Sequence, residues 1–372
     1  MNNKVSIRNV IMFAGAYCAF IIGSGYATGQ EIMQFFGSFG PNGFIGILIS
    51  MFLFALLGGA LMQKGYELQL KHHTQVFRYY CGKYLGIVLE WETVIFLFSV
   101  VSIMIAGTGA IASENFGLPA ATGSIFMAVL CVLTVFLGLQ KLADLVGAIG
   151  PVIIVFTLII GVVTLVSFDG EWAKNADVLF DLRATKSWWF AQYSALDSAW
   201  FSGVLYATCM VFGSTPFFTA LGSKAQSSKE AFMGGFVGGV VIMLASGIMM
   251  AAMLCFPEEV AKLQVPNIYL ANQFTPALAW FFSIILLMGI YSTAAPMFWV
   301  VINKAEQFIS NKTGKLVLTL VLAVVAYFGA QIGFGTLIGI LYTLNGQIGI
   351  FFIIIVFAKV FFMKDKAVSK SK

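Results

Sequence analysis

The sequence predicts an all-α integral membrane protein of about ten transmembrane helices, and three observations carry that prediction. The chain is 60% hydrophobic and only 10% charged over 372 residues, with a mean hydropathy of +0.93, a balance that a water-soluble domain of this size does not sustain. Apolar stretches of about 18 or more residues recur along the whole length, which suits the hydrocarbon thickness of a bilayer rather than a soluble core. Basic residues gather in alternate loops, as inside-positive topology requires. Each apolar stretch is too long and too uniform for a barrel strand, so the helical bundle is preferred to a barrel.

Hydropathy places the spans at about Val10–Phe36, Gly43–Met62, Leu85–Ala112, Ala121–Leu139 and Leu145–Phe168, then Ala199–Leu221, Ala231–Phe256, Pro276–Val301, Leu316–Ala330 and Phe334–Phe362. The first segment is too long for a secretory signal and has no small-residue cleavage site before a polar mature start, so it is expected to stay as the first span. Asn345-Gly346 interrupts the last segment. The expected organisation is a five-helix repeat over 1–168, an external surface loop over 169–198, a second five-helix repeat over 199–363 and a basic cytoplasmic tail over 364–372. Trp172, Trp188 and Trp189 in that loop suit a segment lying at the membrane surface.

Orientation follows from the basic residues. With the N-terminus in the cytoplasm, only Lys174, Arg183, Lys186 and Lys262 fall outside, all in the two longest external loops, and the remaining 17 of 21 lie inside. Both termini are then cytoplasmic and the expected location is the cell membrane. The net charge of +5 calls for no nucleic-acid partner, because inside-positive loops facing an anionic leaflet account for it.

Metal and redox chemistry find little footing. Cys18, Cys81, Cys131, Cys209 and Cys255 are scattered and read as small core residues. His72 and His73 are adjacent in a polar loop without further soft ligands. An intramembrane enzyme would need His, Asp or Cys clustered within the spans, and no phosphate-binding loop is present for ATP-driven pumping. A channel would need a continuous polar stripe, whereas the polar residues concentrate at two places.

Those two places are expected breaks. Irregular backbone within a membrane survives only where it lines a cavity, so breaks locate function. Span 1 contains Ile22-Gly23-Ser24-Gly25-Tyr26-Ala27-Thr28-Gly29-Gln30-Glu31 in the middle of an otherwise apolar helix. Span 6 contains Phe212-Gly213-Ser214-Thr215-Pro216, where proline removes an amide donor and crowds the Phe212 carbonyl. Discontinuous helices 1 and 6 at matching positions of two five-helix halves form the pattern of an inverted-repeat transporter, and an odd repeat length forces the inversion. The alternative is that these glycines only let helices pack closely.

The run from Ala14 to Glu67 resembles the start of transporters with the leucine-transporter (LeuT) fold. The segment from Gly23 to Ile32 is similar to the signature of YkvI-like bacterial amino-acid permeases of the amino-acid/polyamine/organocation superfamily. In sodium-coupled members of that fold, the resemblance implies one sodium ion held by the carbonyls of Ala19, Ile22 and Gly289 and the hydroxyls of Ser292 and Thr293. Half-helix carbonyls and hard oxygens suit that ion. Against it stands the common habit of membrane Ser and Thr of bonding back to their own helix carbonyls. Span 5 has no lysine, so the variant that replaces sodium with an ammonium group gains no support.

The free amides near Ser24, Gly25 and Tyr26 suit a substrate carboxylate. Gly23, Thr208, Phe212, Gly213 and Ser214 complete the expected substrate site, with Ser99 and Ser102 as walls from span 3. Glu31 is the one acidic residue these spans place well inside a helix, since Glu90 and Glu92 fall in the first turns of span 3. Buried, ionised and alone it would cost several kcal/mol. Its countercharge is a proton, a bound cation, a substrate amine or vestibule water, which gives Glu31 a coupling or gating role. The other reading has it complement a helix dipole at the edge of a wet outer cavity.

The function expected is secondary active transport of an amino acid or similar small zwitterion or organic cation by alternating access. Sodium is favoured over protons as the coupling ion, with no other cofactor. The rival is a membrane-embedded ligand sensor that keeps the transporter fold.

Overall fold

Helix 1 begins where Ser6 caps it, its hydroxyl accepting the Asn9 amide at 3.4 Å, and it ends where two residues turn extended. In the computed structural model, which describes residues 5–70, 73–137, 149–175, 198–309 and 311–361 together with Val178 and Asp181, α1 spans Ile7–Ile21. Ile22 and Gly23 lie in the extended region. The chain re-enters helix as α2, Ser24–Thr28, and as α3, Gln30–Phe35, the two separated by Gly29 at φ +89°. A Cβ on Gly29 would lie 2.4 Å from Met253 Cε and 2.5 Å from Asn267 Oδ1, so space and backbone both demand glycine there.

The remaining long helices are α4 (Gly43–Leu68), α5 (Val76–Phe116), α6 (Ala120–Leu137), α7 (Ile149–Ser167), α8 (Ala199–Gly222) and α9 (Ser228–Met253). A short α10 (Pro266–Asn272) precedes α11 (Pro276–Ala305), α12 (Lys312–Ala330) and α13 (Phe334–Phe361). Among the described residues there is no strand. Among the described residues seven helices are long and apolar enough to cross a membrane, those built on α4, α5, α8, α9, α11, α12 and α13. Shorter apolar helices stand where spans 1, 4 and 5 were expected. The chain is a multi-pass membrane protein. Most of the 169–198 loop, with Trp188 and Trp189, and the 364–372 tail lie outside the described residues.

Two expectations are corrected here. The break expected in span 6 is absent, because α8 runs unbroken from Ala199 to Gly222 with Pro216 inside it. Hydroxyls on either side of the proline support the winding: Thr215 donates to the Val211 carbonyl and Thr219 to the Thr215 carbonyl, each at 2.8 Å. Membrane helices tolerate proline under such support. Gly213 serves close approach, since a Cβ there would lie 2.9 Å from the Phe96 ring. Span 3, expected from Leu85, starts as α5 at Val76 and bends at Gly82 (φ 77°, ψ 179°). Glu90 and Glu92 therefore sit inside α5 rather than at its start. Glu90 holds Arg78 across the bend through two 2.7 Å bonds, while Glu92 Oε2 is buried without a partner among the described residues.

The helices pack in two groups. α4 lies against both α8 and α9, and α1 lies against α9. Glycines permit this closeness: a Cβ on Gly203 would lie 2.3 Å from the Gly46 carbonyl oxygen, and one on Gly235 2.6 Å from that of Gly58. The second group sets α5 against α6, α11 and α12. α7 bridges the groups through α9 and α11, and α13 does so through α8 and α5. Large apolar side chains such as Leu48, Phe52, Ile95, Val129 and Leu320 face outward, whereas Gln30, Glu31, Asn267 and Asn345 are wholly buried. Polar groups inside and apolar groups outside fit lipid as the solvent.

Candidate functional site

The unwound joint between α1 and α2 sets free the backbone that a continuous helix would pair. Ile22 still donates to Cys18, but the Gly23 amide turns back to the Ile21 carbonyl at 2.9 Å, which leaves the Ala19 carbonyl without its regular partner. Gly23 lines a cavity of about 40 Å³ between the two helix groups. Ile21 and Phe20 of α1, Gly213 and Ser214 of α8, and Thr293 of α11 share its wall. Phe96 and Met104 of α5, Met210 of α8, Met297 of α11 and Tyr342 of α13 complete it. That volume has room for roughly three waters at ~10–15 Å³ each.

Beside the cavity, on the far side of Tyr342, lies Glu31 at 0% exposure. Its side chain folds back over the start of its own half-helix, so that a Cβ on Gly25 would lie 2.2 Å from Glu31 Oε1. Tyr206 of α8 donates its hydroxyl to Oε2 at 3.0 Å, and Tyr342 donates to Oε1 at 2.9 Å. No ion pair reaches Glu31 among the described residues. The half-helix start expected to receive a substrate carboxylate thus lies under the chain's own carboxyl group, and Glu31 is fully buried rather than at the edge of a wet vestibule.

The side of the joint away from the N-terminus is closed. Asn267 of α10 donates to the Ala27 carbonyl at 2.9 Å, and Glu114 accepts the Gln264 and Val265 amides at 2.7 and 3.0 Å. The Tyr26 hydroxyl pins α2 to the Ile242 carbonyl of α9 at 3.1 Å. Toward the N-terminal side the Phe20 and Phe217 rings stack with centroids 3.8 Å apart.

Of the substrate residues expected from sequence, the cavity brings together Gly23, Gly213 and Ser214. Ser24 is buried within α2. Thr208 donates to the Leu205 and Gly346 carbonyls, and Phe212 packs between Phe77 and Phe352. Ser99 bonds back to its own helix, and Ser102 is buried. Of the expected sodium set, Ser292 and Thr293 both donate to the Gly289 carbonyl, at 2.7 and 3.2 Å, and only Thr293 reaches the cavity. The sequence reading missed Tyr206 and Tyr342. The available signal was a tyrosine inside each of spans 6 and 10, to set against a lone acid in span 1. Among the described residues no group of three or more His, Cys, Asp or Glu side chains is arranged to hold a metal ion.

A scan against protein-family models finds no match. The chain is 23% identical over 341 residues to the Uncharacterized membrane protein YkvI of Bacillus subtilis (strain 168), covering 91% of this chain and 93% of that one. It is 22% identical over 335 residues to the Uncharacterized protein YyaD of the same organism, covering 90% and 92%. Among solved structures it resembles a mutant manganese transporter of Eremococcus coleocola, with a TM-score of 0.52 and 16% identity over 96% of this chain and 78% of that one. The same transporter in complex with an aromatic bis-isothiourea substituted compound gives a TM-score of 0.51 at 15% identity, over 94% and 76%. At these identities the likeness bears on the fold, which is that of a membrane transporter.

Proposed function

We propose that the chain is an ion-coupled secondary transporter of a small amine-bearing solute, an amino acid or similar zwitterion or an organic cation, working by alternating access in the cell membrane with both termini cytoplasmic. The observation that carries this reading is the unwound Ile22-Gly23 joint facing a cavity beside a buried carboxyl group. Carriers place substrate at such joints because bared backbone groups are tolerated in lipid only where a cavity uses them. A ten-span, five-plus-five arrangement belongs to the same proposal. Exchanging the first five spans with the last five maps α1 on α9 onto α8 on α4, α6 on α11 onto α12 on α5, and α7 on α11 onto α13 on α5.

Sodium is the proposed coupling ion, seated by the Ala19, Ile22 and Gly289 carbonyls once the Ser292 and Thr293 hydroxyls turn from Gly289. A proton carried by Glu31 is the other candidate, favoured by the absence of a cationic partner for that side chain among the described residues. The unbroken α8 favours a second functional reading, a ligand sensor that keeps the fold without flux. Uptake into proteoliposomes under a sodium gradient, a proton gradient or neither separates the three. Accumulation that follows one gradient identifies the ion, and saturable binding without any flux defeats the transporter reading.

A further inference from the structure

We infer that the solute recognised at this cavity is a small organic ammonium ion with no carboxylate of its own. The inference rests on the transporter reading for the site and narrows its substrate class. An amino acid brings two charges and needs two complementary partners. Here the partner for an anion is taken, because the Glu31 carboxyl group lies over Gly25 at the start of the half-helix. A second carboxylate at the joint would meet the first at close range in a buried setting with no lysine or arginine in the cavity wall, where like charges repel strongly.

The wall suits a cation. Phe20 and Phe96 bring aromatic rings to the wall, and Met104, Met210 and Met297 bring polarisable thioethers. Tyr342 lines the cavity and also donates to Glu31 Oε1. Rotation of that one phenol would expose the carboxyl group to an ammonium N–H. Its hydroxyl oxygen would then be free to accept a second hydrogen bond. A hard divalent ion fits less well, since it prefers several oxygen ligands, and the wall supplies only the Ser214, Thr293 and Tyr342 hydroxyls plus backbone carbonyls.

The test compares solutes that differ only by a carboxylate, ethylamine with alanine, isobutylamine with valine and putrescine with ornithine, alongside manganese(II) chloride. Thermal shift of the purified wild-type chain reads binding, and counterflow in proteoliposomes reads transport. The expected result is that the amine of at least one pair stabilises the protein at a concentration at least tenfold below its amino acid. Glu31→Gln, verified as folded by circular dichroism, should lose at least tenfold in that affinity. An amino acid that binds as well as its amine, a shift with manganese alone, or no shift with any probe overturns the inference. Amine binding without counterflow keeps the ligand class and defeats the transporter reading, whereas amino-acid binding with counterflow does the reverse.

Discussion

Glu31 and Tyr342 stand 311 positions apart in the chain and meet at 2.9 Å, which ties the half-helix after the joint to the last helix of the bundle. Tyr206, from α8, closes the other oxygen at 3.0 Å. One carboxyl group thus couples three elements, α3, α8 and α13.

If that coupling is energetic, Tyr342→Phe and Tyr206→Phe should each destabilise the protein by about 1–3 kcal/mol, the usual cost of leaving a buried acceptor short of a donor. Unfolding in detergent measures this. The two effects should be non-additive with Glu31→Gln, because neighbours in one network couple. Full additivity would mean that the tyrosines act through packing alone.

Gly25→Ala places a methyl carbon 2.2 Å from Glu31 Oε1, so the side chain or α2 must move. The expected outcome is loss of most ligand binding and several degrees of melting temperature in the wild-type background. In Glu31→Ala the same change should cost much less, since the obstructing atoms are gone. A thermal melt of the four proteins reads the cycle, and equal losses in both backgrounds would contradict the placement of Glu31.

Much of the architecture was legible because lipid imposes long apolar runs, and most of the observed helix ends fall near the expected spans, the early start of α5 at Val76 excepted. The joint at Ile22-Gly23 was legible as well, since polar residues and glycines crowd an otherwise apolar helix there. The continuity of α8 was not, because the same Gly-Ser-Thr-Pro letters serve a break or a close contact. The unbroken helical backbone through Pro216 and the Phe96 ring packed against Gly213 decide between them. The partners of Glu31 were hidden for a similar reason. Tyrosine in a span is unremarkable until the packing brings two of them to one acid.

Glu230 is wholly buried and fastens the start of α1 to α9. It accepts from the Ser6 amide at 3.2 Å, Asn9 Nδ2 at 3.2 Å and the Gln226 amide at 3.0 Å. Glu230→Ala strands three donors, at a cost of about 1–3 kcal/mol for the site. Hydrogen exchange should speed up first over the opening turns of α1, before any change in α5 or α12. Uniform acceleration would show that the residue supports the whole bundle instead of this one contact.

Pro216 separates the two views of α8 most directly. In a continuous helix, Pro216→Ala restores a donor to the Phe212 carbonyl and removes a steric clash. Stability should then be unchanged or higher, by up to ~3 kcal/mol in the limit of an unsupported proline. The Thr215 and Thr219 hydroxyl bonds already support the winding, so a gain well below that limit is expected. Ligand binding should stay within about twofold, because Gly213 and Ser214 keep their places on the cavity wall. A folded Pro216→Ala protein that binds normally yet no longer catalyses counterflow would mean that α8 must open at this point in another state. The discontinuous sixth helix would then return as a property of the cycle rather than of the conformation described.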